Sequence, residues 1–243
     1  MPPETQSRDN SKLYLPVAIL LAGVLVAGGL YFGLSSQGGS GAAGAAQPKV
    51  DIKDVSMEGD PYIGDKNAPV TIAFWADFQC PYCKAVETGH PQIPIDPAVP
   101  ELIKQYVNTG KLRIVFKDYA FLGEDSITGA EYARAVWDLY PDQYFAFRTA
   151  MYEEQDEEGD QGFGDAASID EMIRAQLPKI DLAKIKQALE VNQDKYDAAI
   201  TANRDEGTKF GIQGTPGFIT GKILLPGAAP LSDFTAAIDP QLK

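Results

Sequence analysis

The hydrophobic positions of the chain predict strands on either side of a long helical block. Residues 70–75 are apolar on both faces, which is typical of a strand buried within a sheet. Residues 111–116 alternate between apolar and polar positions and predict a second strand. Residues 211–225 predict a hairpin that turns at Gly221, and a final helix is expected over residues 231–238. Strands and helices in this order indicate an α/β fold.

Apolar residues at helical spacing occupy the chain between the second strand and the hairpin, over about residues 120–210. Asp181 is expected to begin a long helix in this block. Ser168 and Glu171 have the spacing of a capping box, which predicts that another helix opens at Ser168. Ahead of the buried strand, residues 60–64 predict a short edge strand.

The longest hydrophobic run lies near the N-terminus. Residues 13–34 are 22 residues without a charge. At about 1.5 Å per residue they would span about 33 Å, enough to cross a hydrocarbon core of about 30 Å. Arg8 and Lys12 precede the run, and no Lys or Arg follows before Lys49. The positive-inside bias therefore predicts a cytoplasmic tail over residues 1–12 and an extracytoplasmic remainder.

A cleaved signal peptide is the alternative to a retained anchor. Ala43 and Ala45 have the small-x-small spacing of a cleavage site. The hydrophobic run, however, exceeds the ~7–15 residues of such a peptide, and this site lies well beyond its end. We therefore expect a single-pass anchor over residues 13–34, with the protein in the cell membrane.

The composition of the remaining chain indicates a flexible linker followed by an acidic domain. Residues 35–48 consist mainly of Gly, Ala and Ser, so a flexible linker is expected over residues 35–54. Residues 55–243 are long enough for one domain with its own core. The formal net charge of −13 lies entirely beyond residue 48, because residues 1–48 hold two basic and two acidic side chains. Such a surface repels nucleic acid, and no nucleic-acid partner is expected.

The only two cysteines directly follow the first buried strand. Cys80 and Cys83 form a Cys-x-x-Cys pair, and Pro81 suits the first position of a helix because its missing N–H would be unpaired there. A thiol at a helix N-terminus loses its proton more easily. Cys83 lies on the same helical face and could resolve a mixed disulfide. We predict that Cys80 attacks and that Cys83 is the buried resolving thiol.

Two other interpretations of the pair carry less weight. Structural zinc usually takes four Cys or His ligands, and the chain offers two cysteines and His90, which is expected in a surface loop. A structural disulfide in so short a loop would constrain the unfolded chain very little.

Residues 153–165 carry seven carboxylates, but Gln161 stands where a calcium loop needs its turn glycine. We expect a solvated loop there, with no metal and no cofactor.

The chain resembles the DsbA family of exported thiol–disulfide oxidoreductases over about residues 62–238. The resemblance is carried by the strand followed by Asp77-Phe78-Gln79-Cys80-Pro81-Tyr82-Cys83-Lys84, by Gly214-Thr215-Pro216 before the hairpin, and by the helical insertion. It implies a thioredoxin-like fold with an inserted helical subdomain at about residues 120–210. It also implies a cis Thr215–Pro216 bond facing the cysteines, with Thr215 presenting its backbone to a substrate strand.

Two positions in the motif depart from the family or remain open. DsbA-type oxidases often carry histidine between the cysteines, whereas this chain has Pro81 and Tyr82, and a tyrosine offers at most a hydroxyl. Asp77 is either a buried carboxylate that handles the proton of Cys83 or an exposed residue at the strand end. We expect Asp77, Pro81 and Tyr82, together with Thr215 and Pro216, to support the active site.

The resemblance implies a membrane-tethered dithiol oxidase that forms disulfides in extracytoplasmic proteins. Its partners would be exported client proteins with thiols or disulfides, and a membrane redox partner that recycles the cysteine pair. A reductase or isomerase on the same scaffold is one alternative. A non-enzymatic thioredoxin-like binding or metal-handling module is another.

Overall fold

Five strands form one mixed sheet in the computed structural model, which describes residues 49–156 and 162–243. The strands are β1 (Tyr62–Ile63), β2 (Val70–Ala76), β3 (Leu112–Asp118), β4 (Gly217–Thr220) and β5 (Ile223–Pro226). They lie side by side in the order β1-β3-β2-β4-β5. β2 and β3 are parallel, with Val70 opposite Leu112, and the other neighbouring pairs are antiparallel. The predicted edge strand, buried strand, second strand and hairpin are all confirmed.

The helices connect these strands in two groups. Those in the described ranges are α1 (Pro81–Glu87), α2 (Ala98–Leu102), α3 (Glu124–Leu139), α4 (Tyr144–Glu154), α5 (Ala166–Gln176), α6 (Leu182–Lys209) and α7 (Leu231–Ile238). α1 and α2 form the crossover that parallel strands require, and a π-helical stretch, Ile103–Val107, continues α2. α3 to α6 form the predicted insertion between β3 and β4. The architecture is a thioredoxin-like α/β fold with a helical insert.

The central strand β2 is buried on both faces, as its apolar pattern predicted. Phe74 belongs to the main core, and its ring stacks on that of Phe218 with centroids 4.3 Å apart. Trp75 points to the opposite face, where its Nε1 donates to the carbonyl of Asn203 at 2.9 Å. Gly207 allows α6 to approach this indole, since a Cβ there would lie only 2.8 Å from the ring.

The segment ahead of β1 packs against the second face of the sheet. Val50 and Val55 are buried in the same cluster as Trp75, and Ile52–Asp54 forms a 3-10 turn. The N–H of Ile52 also donates to the carbonyl of Gly221 at 2.7 Å. Residues 49–54, which composition assigned to the linker, therefore contact the folded domain, because their apolar side chains reach the sheet.

One helix begins earlier than the sequence predicted. α5 opens at Ala166, and its N-cap is Asp165, whose carboxylate accepts the N–H of Ser168 at 2.8 Å. The prediction of a capping box beginning at Ser168 is therefore wrong, because an acidic cap three residues earlier takes that role. α6 does begin directly after Asp181, as predicted.

The predicted anchor, residues 13–34, lies outside the described residues. Within residues 49–156 and 162–243, no helix has the length and hydropathy needed to cross a membrane.

Candidate active site

The two cysteines lie at the junction between β2 and α1. β2 ends at Ala76, and Cys80 is the N-cap residue of α1, with Pro81 in the first helical turn. The carbonyl of Cys80 accepts the N–H groups of Cys83 at 3.0 Å and Lys84 at 3.1 Å, which are the first hydrogen bonds of the helix. Both cysteines are free thiols, so the structure is that of the reduced pair.

The environment of Cys80 favours its thiolate. A hydrogen bond from the Cys83 thiol is the main cause that lowers the pKa of Cys80, against burial, to about 7. The backbone N–H groups of Cys83 and Tyr82, at the start of α1, act in the same direction. Cys80 is only 4% exposed, so little of this residue is accessible to solvent.

Cys83 has the opposite electrostatic environment. It is fully buried, and burial raises its pKa well above the usual value for a thiol. The nearby Cys80 sulfur and the Asp77 carboxylate raise it further. Near neutral pH the pair therefore consists of one acidic thiol and one thiol that keeps its proton.

The Thr215–Pro216 bond is cis, and it lies beside Cys80 as the resemblance implied. The Cys80 thiol donates to the carbonyl of Thr215, with 3.3 Å between sulfur and oxygen. The Thr215 hydroxyl is buried and has no hydrogen-bond partner among the described residues. The Thr215 side chain is also one of the causes that lower the pKa of Cys80.

Asp77 is buried, so its interpretation as an exposed residue at the strand end is wrong. Its carboxylate accepts the Ser126 hydroxyl at 2.6 Å and the backbone N–H groups of Gln79, Phe121 and Leu122 at 2.9, 2.9 and 3.2 Å. Burial nonetheless raises the pKa of Asp77. The parallel strands β2 and β3 end at the same edge of the sheet, which brings the segment after β3 onto this carboxylate.

An ion pair that the sequence analysis missed lies behind the cysteine helix. Arg148 of α4 donates through Nε to Glu87 of α1 at 2.6 Å, and both side chains are at most 3% exposed. Four aromatic rings surround the guanidinium, with centroids 4.3 to 5.4 Å from it: Phe74, Phe78, Phe116 and Tyr152. A charged residue on the apolar stripe of Phe147 and Met151 was the available signal.

Two further residues that the sequence singled out are Tyr82 and His90. Tyr82 is 53% exposed, so its side chain is available on the surface beside the thiols. His90 lies in the loop after α1, where its Nδ1 accepts the N–H of Gln92 at 3.1 Å. Among residues 49–156 and 162–243, no group of three His, Cys, Asp or Glu side chains is arranged to hold a metal ion.

A thiol pair of such unequal acidity, at the carboxyl edge of a thioredoxin-like sheet, is the reactive centre of a thiol–disulfide oxidoreductase, and this protein is an enzyme of that class. The family model described as Thioredoxin matches residues 56–240. The chain therefore belongs to the thioredoxin family.

Relatives and solved structures agree with this class. The chain is 26% identical over 182 residues to the probable disulfide bond formation protein D of Bacillus anthracis, covering 74% of this chain and 77% of that protein. The oxidised BdbD of Bacillus subtilis shares the fold with a TM-score of 0.65 at 23% identity, over 81% of this chain and 96% of that one. The thiol-disulfide exchange protein alpha-DsbA2 of Wolbachia pipientis gives a TM-score of 0.62 at 28% identity, over 75% and 87%.

Proposed function

We propose that this protein is an exported dithiol oxidase that forms disulfides in extracytoplasmic proteins. The observation that carries the proposal is the acidic Cys80 thiol beside the fully buried Cys83, at the N-terminus of α1. Stabilising the thiolate stabilises the reduced pair, which makes the disulfide a better acceptor of electrons. The similarity to disulfide bond formation protein D supports the same direction of transfer.

The proposed reaction transfers one disulfide in two exchange steps. A client thiolate attacks the Cys80 sulfur of the oxidised pair, the Cys80–Cys83 bond breaks, and Cys83 leaves as a thiolate that takes up a proton. A second client thiolate then attacks the client sulfur of this mixed disulfide and releases Cys80 as a thiolate. The client gains a disulfide and the enzyme gains two electrons. The lowered pKa of Cys80 makes it the better leaving group in the second step.

Thr215 and Pro216 are proposed to hold the client beside the sulfur. The carbonyl of Thr215 lies 3.3 Å from the Cys80 sulfur, so a peptide bound along this loop would place its own cysteine at the reacting atom. A cavity of about 250 Å³ borders the same loop, and Leu224, Pro226 and Ile212 contribute apolar surface to it. An extended client segment with an apolar residue near its cysteine fits this surface.

The membrane placement is also a proposal. Residues 13–34 would anchor the protein, residues 1–12 would lie in the cytoplasm, and the domain would act on the extracytoplasmic side. Each turnover leaves the pair reduced, so a membrane redox partner must accept two electrons from Cys80 and Cys83. Outside the cytosol, the disulfides that the enzyme forms can persist.

A disulfide reductase is the second candidate, and one observation favours it. The pKa of Cys80 is lowered to about 7, the range of thioredoxin rather than of the strongest oxidase, whose thiol has a pKa of about 3.5. Tyr82 occupies the place where an imidazolium would stabilise the thiolate more strongly.

Incubation with two client forms separates the candidates. The oxidised protein is mixed with a reduced, unfolded client, and the reduced protein with the disulfide-bonded client. We expect the first reaction to proceed further, in step with the appearance of thiols on Cys80 and Cys83. The Cys80→Ser variant is the matched control and should be inert in both reactions. Efficient reduction without oxidation would contradict the oxidase proposal and favour the reductase.

A further inference from the structure

Gln155 of the helical insert lies directly behind the loop that carries Cys80. It is the first residue after α4, and it is only 3% exposed. Its side-chain Nε2 donates to the carbonyl of Phe78 at 2.5 Å and to the carbonyl of Cys80 at 3.3 Å. The insert therefore reaches the backbone of Cys80 through this side chain.

The orientation of this amide follows from its partners. Two backbone carbonyls can be satisfied only by the NH₂ end of the side chain, so the flipped amide would place oxygen against oxygen. In this orientation Oε1 is buried without a hydrogen-bond partner among the described residues. A buried acceptor that lacks a partner has an energetic cost. Gln155 thus makes its contacts to the Cys80 loop although its Oε1 has no hydrogen-bond partner among the described residues.

A second contact runs in the opposite direction. Lys84, which follows Cys83 in α1, donates through Nζ to the backbone carbonyl of Gln155 at 2.6 Å. The cysteine helix thus holds the backbone of Gln155, while the side chain of Gln155 holds the backbone of the cysteine loop. We call these contacts of Lys84 and Gln155 the insert clamp.

We propose that Gln155 is a positioning residue that sets the reactivity of Cys80 through the insert clamp. This inference rests on the proposed function, and it adds a residue outside the thioredoxin core to the active site. The carbonyl of Cys80 that accepts from Gln155 also accepts the N–H groups of Cys83 and Lys84 in α1. Fixing this carbonyl fixes the orientation of Cys80 relative to the N–H groups of Tyr82 and Cys83, which stabilise its thiolate.

The Gln155 amide also acts electrostatically on Cys80, and this effect favours the thiolate, as the positioning of the loop does. The NH₂ group of Gln155 presents its positive end to the peptide unit of Cys80, which favours negative charge on the nearby sulfur. Replacing the amide with an apolar group removes this donor and releases the loop. Both changes disfavour the thiolate, so the pKa of Cys80 rises. The expected rise in the pKa of Cys80 is about 0.5–1 unit, which is within the ordinary spread of side-chain pKa values in folded proteins.

The test is the pH profile of Cys80 alkylation in the reduced full-length protein. The variants are Gln155→Leu and Gln155→Met, and peptide mass spectrometry identifies the labelled cysteine. At about pH 6 we expect the rate at Cys80 to fall roughly three- to tenfold in both variants, because the thiolate fraction falls. At about pH 10, where the thiolate predominates in each protein, we expect equal rates. A purely structural effect on access would instead change the rate by the same factor at every pH.

Asn203→Leu is the matched control. Asn203 is another buried amide, and its Nδ2 donates to Asp60 at 2.9 Å rather than to the cysteine loop. It should destabilise the fold while leaving the pKa of Cys80 within about 0.2 unit of the parent value.

Three results would overturn the proposal. These are an unchanged Cys80 pKa in either folded Gln155 variant, an equal shift in Asn203→Leu, and loss of the folded circular dichroism spectrum in both Gln155 variants. The last would show that the amide is required for the fold itself.

The parent protein separates this inference from the proposed function: a parent Cys80 without a lowered pKa would contradict the thiolate basis of the function. A difference between parent and variants concerns Gln155 alone.

Discussion

At the scale of single residues, Cys80 and Cys83 show how two side chains of the same type differ in acidity because of their positions. The helix N-terminus and the Cys83 thiol stabilise charge on Cys80, while complete burial suppresses it on Cys83. The reactivity of the pair therefore depends on each cysteine's neighbours, and each neighbour can be removed separately.

Cys83→Ala should raise the pKa of Cys80. The thiol of Cys83 is the largest contributor to the lowered value, and alanine cannot donate a hydrogen bond. We expect the thiolate absorbance of Cys80 to titrate at a pH about one unit higher than in the parent, with the same endpoint. A titration midpoint that is unchanged or lower would show that α1 alone sets the acidity of Cys80.

Arg148→Met should destabilise the domain strongly. It leaves Glu87 as a buried carboxylate without its cation, a change that typically costs about 3–5 kcal/mol. Urea unfolding of residues 49–243 measures the loss. Lys104→Met is the control: its ion pair with Glu101 is 3.4 Å long and exposed, and we expect no measurable change in the free energy of unfolding. Equal losses in the two variants would contradict the importance of burial.

The residues that the sequence predicted well are those whose role depends on local spacing. Cys80, Pro81 and Cys83 follow from one strand-to-helix junction, and their arrangement needs no distant contact. Ser126, which donates to Asp77, and Arg148, which pairs with Glu87, come from segments more than forty residues away in the chain. Such pairs arise from tertiary packing, and spacing along the chain carries no information about them.

At the scale of elements, two helices of the insert face each other with titratable groups. Glu131 of α3 shares a hydrogen bond with Asp197 of α6. Burial, followed by this neighbouring carboxyl group, raises the pKa of Glu131 from 4.5 to about 7. The contact between the two helices should therefore depend on pH in the physiological range.

The sign of this dependence follows from the raised pKa. The folded state binds a proton on Glu131 that the unfolded state has released, so the contribution is fully present below about pH 4.5 and is lost as the pH rises through about 7. We expect Glu131→Gln to reduce the fall in unfolding free energy across this window. The effect should be on the order of 0.5 kcal/mol, because the pair is partly exposed to screening solvent. Denaturant titrations at several pH values measure it, and an identical pH dependence in parent and variant would contradict the assignment.

Element boundaries were predicted best where one residue decides them. The cap of α6 at Asp181 and the turn at Gly221 are local, and both were found as expected. α5 was misplaced because two capping residues competed, and the carboxylate of Asp165 takes the N–H of Ser168 as the helix cap. Residues 49–54 were assigned to the linker because composition does not reveal that Val50 would find a pocket beside Trp75.

At the scale of the whole molecule, the charge pattern and the hydropathy pattern of the sequence point to a tethered acidic domain. The proposed anchor predicts that the full-length protein stays in the membrane pellet after an alkaline carbonate wash. The same protein without residues 1–48 should appear in the supernatant. A soluble, shortened product that begins near Ala46 would show that residues 13–34 belong to a cleaved signal instead.

The direction of electron transfer is the central claim, and the reduction potential of the Cys80–Cys83 couple tests it most directly. The protein is equilibrated with glutathione buffers of graded potential, and its thiols are trapped by alkylation and counted. A stabilised Cys80 thiolate without a histidine neighbour predicts a potential between about −120 mV, that of the strongest oxidase, and about −270 mV, that of thioredoxin. A value below about −270 mV would contradict the proposed oxidase and assign the enzyme to disulfide reduction.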